Sequence, residues 1–192
     1  PGYFWLFPVQ EGVVNVGIGM VISEQRKQKG ANKSLKKKQK WVIESHPVFS
    51  ERFKDAKLVE GSQKGWQLPF GSPRKKPPSF QPRRSAGAGV MCVGDAASLV
   101  DPFSGEGIGN GLLSAKMTAK HFDKVVHADG FTEEAAVGYM NDLWGVLGKE
   151  LTNSYRLQKV VKWKKVMSWF VGKASSKKEM GDMLTGMIAD KE

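Results

Sequence analysis

The residues best placed to do chemistry in this 192-residue chain lie between Gly94 and Gly109. Gly94-Asp95-Ala96-Ala97 follows the apolar run Val90-Met91-Cys92-Val93, and Pro102, then Gly105-Glu106-Gly107-Ile108-Gly109, come shortly after. A short all-apolar run has the pattern of a strand covered on both faces. A carboxylate at the end of such a strand sits where open α/β sheets bind ligands, so Asp95 would accept hydrogen bonds from ligand hydroxyls. The loop after it leads into a helix start, where unpaired N–H groups and the helix dipole favour a negative group. Glycines there let the backbone approach a flat or anionic ligand without Cβ collisions. Taken singly, Asp95 and these glycines read as turn and cap residues; the whole string favours a ligand.

A second set opens the chain. Tyr3, Trp5 and Phe7 alternate along one segment, with Pro8 following. Aromatics at alternate positions of a strand share one face, the spacing of a side that turns to the core. Other candidates carry less. Cys92 lies inside the apolar run as a small hydrophobe, and one cysteine excludes an intrachain disulfide or a multi-cysteine metal site. His46, His121 and His127 are scattered, and no serine has a nucleophile-elbow context. Arg83-Arg84 precedes the apolar run and could face a phosphate.

The elements that must position these residues follow from periodicity. Tyr3–Phe7 and Val13–Ile22 predict a β-hairpin, punctuated by Pro8 and Gln10-Glu11-Gly12. Residues 32–45 predict a helix that ends at His46-Pro47, because the residue before a proline is pushed out of the α region. Residues 57–86 predict short strands and loops, with strands at Lys57–Val59 and Gly65–Leu68 between prolines. From near Glu106 a long helix places Ile108, Leu112, Ala115, Ala119, Phe122 and Val126 on one apolar stripe, predicted to pack on the Val90–Val93 strand. The remainder is helical, with stripes at Ala136, Met140, Leu143, Leu147 and Leu151 and at Met180, Met183, Leu184, Met187 and Ile188. Strands first, then one strand–loop–helix unit, then helices: the order predicts an α+β arrangement, or an α/β fold seen from its second half.

The net charge of +11 is concentrated. Residues 26–40 hold eight basic side chains and no acid, and residues 149–178 hold nine against Glu150, leaving a mildly acidic body. Such segments suit solvated helix faces, an anionic membrane surface or nucleic acid. In 149–178 the lysines interleave with Trp163, Trp169 and Phe170, the pattern of a membrane-surface segment. No apolar run approaches the roughly 18 residues of a membrane span, so the expected location is cytoplasmic, with peripheral membrane association through 149–178.

The string Val93-Gly94-Asp95-Ala96-Ala97, Pro102, Gly105-Glu106-Gly107-Ile108 resembles the second flavin-binding motif of FAD-dependent oxidoreductases of the p-hydroxybenzoate hydroxylase fold. Tyr3-x-Trp5-x-Phe7-Pro8 followed by Val16-Gly17-x-Gly19 resembles the substrate-region motif of geranylgeranyl reductases. The resemblance implies FAD as cofactor, with Asp95 on the ribityl chain after Gly94, Gly105, Glu106, Gly107 and Ile108 at the flavin's pyrimidine edge, and Pro102 shaping its face. It implies an isoprenoid lipid substrate along Tyr3, Trp5, Phe7 and Pro8, an external electron donor, and hydride delivery from reduced flavin to a carbon–carbon double bond. No residue stands out as the proton donor.

The implied organisation is a partial substrate-binding domain over 1–86, the last strand and helix of the FAD-binding domain over 87–128, and a helical region over 129–192. The Gly-x-Gly-x-x-Gly fingerprint of a dinucleotide-binding fold is absent and the chain opens at Pro1, so the expectation is a C-terminal portion of a longer flavoprotein that binds FAD weakly alone. The alternatives are a related flavoprotein monooxygenase, a halogenase or an electron-transfer-flavoprotein dehydrogenase, whose added iron–sulfur cluster a single cysteine does not support. A basic module binding nucleic acid or membrane ranks last, because it leaves the glycine string unexplained.

Overall fold

The computed structural model describes residues 2–10, 12–30, 34–72, 83–125 and 130–163, together with Ser168 and Gly172. The expected Met180–Ile188 stripe, Val126, His127, Trp169 and Phe170 lie outside the described residues. The architecture is α+β, with helices and two small antiparallel sheets, and the chain divides into two compact units at Gly65/Trp66.

In the first unit β1 (Gly2–Gln10) and β2 (Val13–Met20) form the expected antiparallel hairpin, turning at Gly12 with φ of 70°. Pro8 does not end the strand. It pairs with Val14 and the register slips just beyond it, because a residue with no N–H is tolerated beside a bulge. Pairing puts Phe4 opposite Ile18 and Leu6 opposite Val16 on one face, and Tyr3, Trp5 and Phe7 opposite Gly19, Gly17 and Asn15 on the other. The first face is the covered one. The Phe4 ring lies 5.0 Å from Phe49 of α3 (Phe49–Arg52), and Gln39 of α2 (Leu35–Ser45) donates to the Val16 carbonyl at 3.0 Å. Ser34 caps α2 by accepting from the Lys37 amide, and His46, extended before Pro47, stops it. A short helix, α1 (Ile22–Gln25), follows the hairpin.

The strands expected at Lys57–Val59 and Gly65–Leu68 are not formed. Leu58 is 75% and Trp66 91% exposed, and no neighbouring strand among the described residues takes their backbone groups. The next pairing is a single parallel bridge from Phe70 to Val100.

The second unit is built on α5 (Glu133–Val160), capped by Thr132, whose hydroxyl oxygen accepts from the Ala135 amide. Ala136, Leu143, Leu147 and Leu151 are buried as the spacing predicts, joined by Tyr139 and Trp144, and they pack with Ala86, Ala97 and Leu99. Glu134 sits in the first turn, and its carboxyl is held below the usual range by its own backbone N–H and then by the Thr132 hydroxyl.

Two expectations fail here. The run Val90–Val93 is not a strand covered on both faces: β4 (Val90–Met91) pairs antiparallel with β3 (Ala86–Gly87) alone, and Val90 is 53% exposed. Only Met91 and Cys92 turn towards the core, because a two-residue hairpin supplies cover on one side. Nor does α4 (Ile108–Val125) bury its apolar stripe. Ile108, Leu112 and Phe122 are exposed, as are Ala115 and Ala119, whereas Asn110 and Ser114 are buried. Polar bonds set the helix rotation. Asn110 donates its amide to the Leu99 carbonyl at 2.8 Å, Ser114 accepts from the Gly94 amide at 3.0 Å, Thr118 donates to the Tyr139 hydroxyl at 3.1 Å, and His121 meets Asp142 at 2.9 Å. A buried polar side is stable when each group is paired, so the apolar stripe is left outside.

The Tyr139 hydroxyl in turn donates to the Cys92 carbonyl at 3.0 Å and ties α4, α5 and the β4 exit together. Burial pushes its pKa above the usual tyrosine value. An unfolded phenol therefore ionises first, and the stability Tyr139 contributes is present below about pH 10 and lost as pH rises through the higher folded value. Tyr139→Phe is expected to cost about 1–3 kcal/mol, because the Cys92 carbonyl loses its partner, and to flatten the loss of stability in alkali. Urea unfolding near neutral pH and above about pH 10 reads both effects.

Candidate functional site

An open cleft of about 280 Å³ lies in the second unit, between the turn that carries Asp95 and the start of α4. Gly94, Asp95, Gly105, Gly107 and Ile108 line it, with Val100, Gly111 and Leu68. The structure thus brings five of the seven residues implied for a cofactor to one surface. Gly94 opens a 3-10 turn (Gly94–Ala97) at φ of 52°, a conformation that favours glycine, and its backbone packs against Gly111. A Cβ on Gly107 would sit 3.1 Å from Asp95 Oδ1 and 3.3 Å from Val100, so the Asp95 carboxylate lies directly over a glycine backbone. Asp95 is exposed and makes no side-chain hydrogen bond among the described residues.

Two of the implied residues sit elsewhere. Pro102 is buried outside the lining, and its carbonyl accepts from Gln158 of α5. Glu106 accepts from the Gly109 amide at 2.6 Å and so caps α4 from within. Arg84, considered for a phosphate, is engaged: it pairs with Glu133 at 2.6 Å and donates to the Ala86 carbonyl. Cys92 is half-buried against the core, His46 packs on aromatic rings, and no cluster of metal-ligating residues occurs among the described residues.

Sequence reasoning missed Asp101, Asn110, Ser114 and Gln158. Asp101-Pro102 with Ser104 following carries the signal of a side-chain-stabilised turn. Ser114 clamps the cleft by accepting from Gly94 and donating to the Gly111 carbonyl at 2.8 Å, but nothing in its helical context announces it.

The first unit carries the other set. Tyr3 and Trp5 lie 5.6 Å apart, Trp5 and Phe7 6.4 Å apart with rings 26° from parallel, and Tyr3 and Phe7 are 48% and 60% exposed. The row stands on the hairpin face opposite the one that carries Phe4 and Leu6. The Trp5 indole lies flat on Gly17, where a Cβ would fall 1.9 Å from its ring, and its N–H donates to Asn15 at 2.8 Å. Pro8 is exposed but stands off the row, because the alternation that groups Tyr3, Trp5 and Phe7 puts it on the side of Phe4 and Leu6. Of the basic segments, Trp163 is 66% exposed, Lys159 lies over the Tyr155 ring at 4.2 Å, and Lys164 and Lys165 are outside the described residues. Among the described residues no helix is long and apolar enough to cross a membrane.

An aromatic hairpin face and a cleft of glycines and one carboxylate are the two candidate sites of this α+β chain. Residues 1–59 match the geranylgeranyl reductase catalytic domain. The chain is 33% identical over 138 residues to the digeranylgeranylglycerophospholipid reductase of Picrophilus torridus, covering 72% of this chain and 30% of the relative. It is 29% identical over 159 residues to digeranylgeranylglycerophospholipid reductase 2 of Methanopyrus kandleri, covering 83% and 36%. It is also 33% identical over 125 residues to the menaquinone reductase of Mycolicibacterium smegmatis, covering 62% and 26%. No solved structure gives a significant match. The chain belongs to the geranylgeranyl reductase family. It spans about 30% of the length of the first relatives it matches.

Proposed function

We propose that this chain forms part of an FAD-dependent reductase that saturates carbon–carbon double bonds in a polyprenyl chain. The observation that carries this reading is the Asp95–Gly107 contact in the cleft, a carboxylate with no side-chain hydrogen bond among the described residues, seated against a glycine backbone. Relatives named for digeranylgeranylglycerophospholipid and for menaquinone differ in the polar end of their substrates, so the isoprenoid chain is the shared chemistry. The residues present fit a flavin. Asp95 accepts from ribityl hydroxyls, and the Gly107 and Ile108 amides, which find no acceptor among the described residues, face an electronegative ring edge. Gly94 and Gly105 keep the cleft open to a flat ring, while Pro102 and Glu106 shape the loop from behind. FAD, when bound and reduced, would supply the hydride for one carbon of the double bond, and a proton would add to the other. Tyr3, Trp5 and Phe7 hold the hydrocarbon by apolar contact, and Pro8, on the other side of the strand, takes no part.

The test is anaerobic incubation of the protein, expressed from its whole reading frame, with FAD, a chemical reductant and a geranylgeranylated lipid. The expected product is heavier by two hydrogens for each double bond saturated. FAD binding with no mass change would overturn the substrate assignment, and no FAD binding would overturn the cofactor.

A further inference from the structure

The cleft is shaped by a loop whose hydrogen bonds are almost all internal. Asp101, 2% exposed, accepts on Oδ1 from the amides of Phe103 at 2.9 Å and Ser104 at 2.8 Å and from the Ser104 hydroxyl at 3.0 Å. The Gly105 amide donates to the Asp101 carbonyl at 3.0 Å, and the Glu106 amide to Ser104 Oγ at 3.2 Å. The Asp101 amide closes the loop on the Glu106 carbonyl at 2.7 Å. Four successive amides, 103 to 106, are thus consumed within the loop, so Gly107 and Ile108 are the first whose N–H groups find no acceptor among the described residues. From outside, α5 holds the same loop: Gln158, 9% exposed, donates its side-chain amide to the Pro102 carbonyl.

We infer that Asp101 and Gln158 are positioning residues for the cofactor, which fix the loop so that the Gly107 and Ile108 amides and the Asp95 carboxylate meet one ligand. The inference rests on the flavin reading of the cleft. Neither side chain lines the cleft, so both act through the backbone. All three side-chain bonds of Asp101 fall on one oxygen, and Oδ2 is buried with no partner among the described residues. Asparagine keeps that oxygen and places its NH2 where Oδ2 stands, so Asp101→Asn preserves what Asp101→Ala destroys. The positioning role belongs to geometry, not to charge.

The experiment measures FAD affinity by fluorescence titration, and amide hydrogen exchange over residues 103–107 without FAD, in the protein expressed from its whole reading frame. Asp101→Ala is expected to weaken FAD about tenfold or more and to speed exchange at Phe103 and Ser104. Asp101→Asn should restore both, and Gln158→Leu should weaken FAD several-fold with its melting temperature near that of the wild type. Equal losses in the alanine and asparagine variants would overturn the inference, because charge would then be the cause. Unchanged loop exchange in Asp101→Ala would overturn it as well. A wild type that binds no FAD overturns the flavin reading itself and with it this role; a wild type that binds FAD, with all three variants equal to it, overturns the positioning role alone.

Discussion

Asp95→Ala is expected to lower FAD affinity by about 10- to 100-fold while leaving the folded protein as stable as before. The size follows from one hydrogen bond to a charged acceptor, the stronger class of such bonds, at about 1.5–3 kcal/mol. The unchanged stability follows from the structure. The Asp95 side chain is exposed and bonds to nothing among the described residues, and the Gly94–Ala97 turn is held by its backbone and by Ser114. Affinity and stability therefore separate at this residue, as they would not at a turn or cap residue. A turn role for Asp95 predicts the opposite pattern, a lower melting temperature with ligand affinity following it. Flavin titration together with a thermal melt decides between the two, and Asp95→Asn, which keeps an acceptor oxygen but no charge, should fall between wild type and alanine.

The hairpin was legible from β propensity alone: the aromatic run Tyr3–Phe7 and the β-branched Val13–Met20 pair around Gly12 and gather Phe4, Leu6, Val16 and Ile18 on one face. On α5 hydropathy and burial agree, since its stripe is apolar on the side that packs. On α4 the two disagree. Ile108, Leu112 and Phe122 form the apolar stripe, but the helix turns on Asn110, Ser114, Thr118 and His121, whose partners come from residues distant in sequence. Hydropathy periodicity counts apolar side chains and cannot see that a polar side will be fully bonded. Residues 57–59 and 65–68 fail for a related reason: strand propensity becomes a strand only beside a partner.

The candidate cleft was legible as a string and not as a shape. Gly94, Asp95, Gly105, Gly107 and Ile108 converge as their spacing suggests, whereas Pro102 and Glu106 turn inward to build the loop. Spacing places residues along a loop, but which of them face a ligand depends on which amides the loop uses itself. That use is fixed here by Asp101, whose Asp-Pro context signals a turn but not which amides it takes from the loop.

Gly17→Val is the second large effect, and it acts on the hydrocarbon rather than on the flavin. A Cβ at this position would fall 1.9 Å from the Trp5 ring, far inside contact distance, so the indole has to leave the hairpin face and give up its bond to Asn15. The row Tyr3–Trp5–Phe7 then loses its middle member. Losing one buried aromatic contact to a prenyl chain corresponds to about 1.5–3 kcal/mol, or roughly 10- to 100-fold in affinity. The covered face is untouched, because Phe4, Leu6, Val16 and Ile18 point the other way, so the hairpin keeps its packing on α3 and its bond to α2. The expected result is a KM for the polyprenyl lipid raised at least tenfold, with FAD affinity as in the wild type, since every residue of the cleft lies in the second unit. Trp5→Ala should reproduce the KM effect without the steric cause. If Gly17→Val changes flavin affinity and leaves KM alone, the aromatic row is not where the hydrocarbon lies.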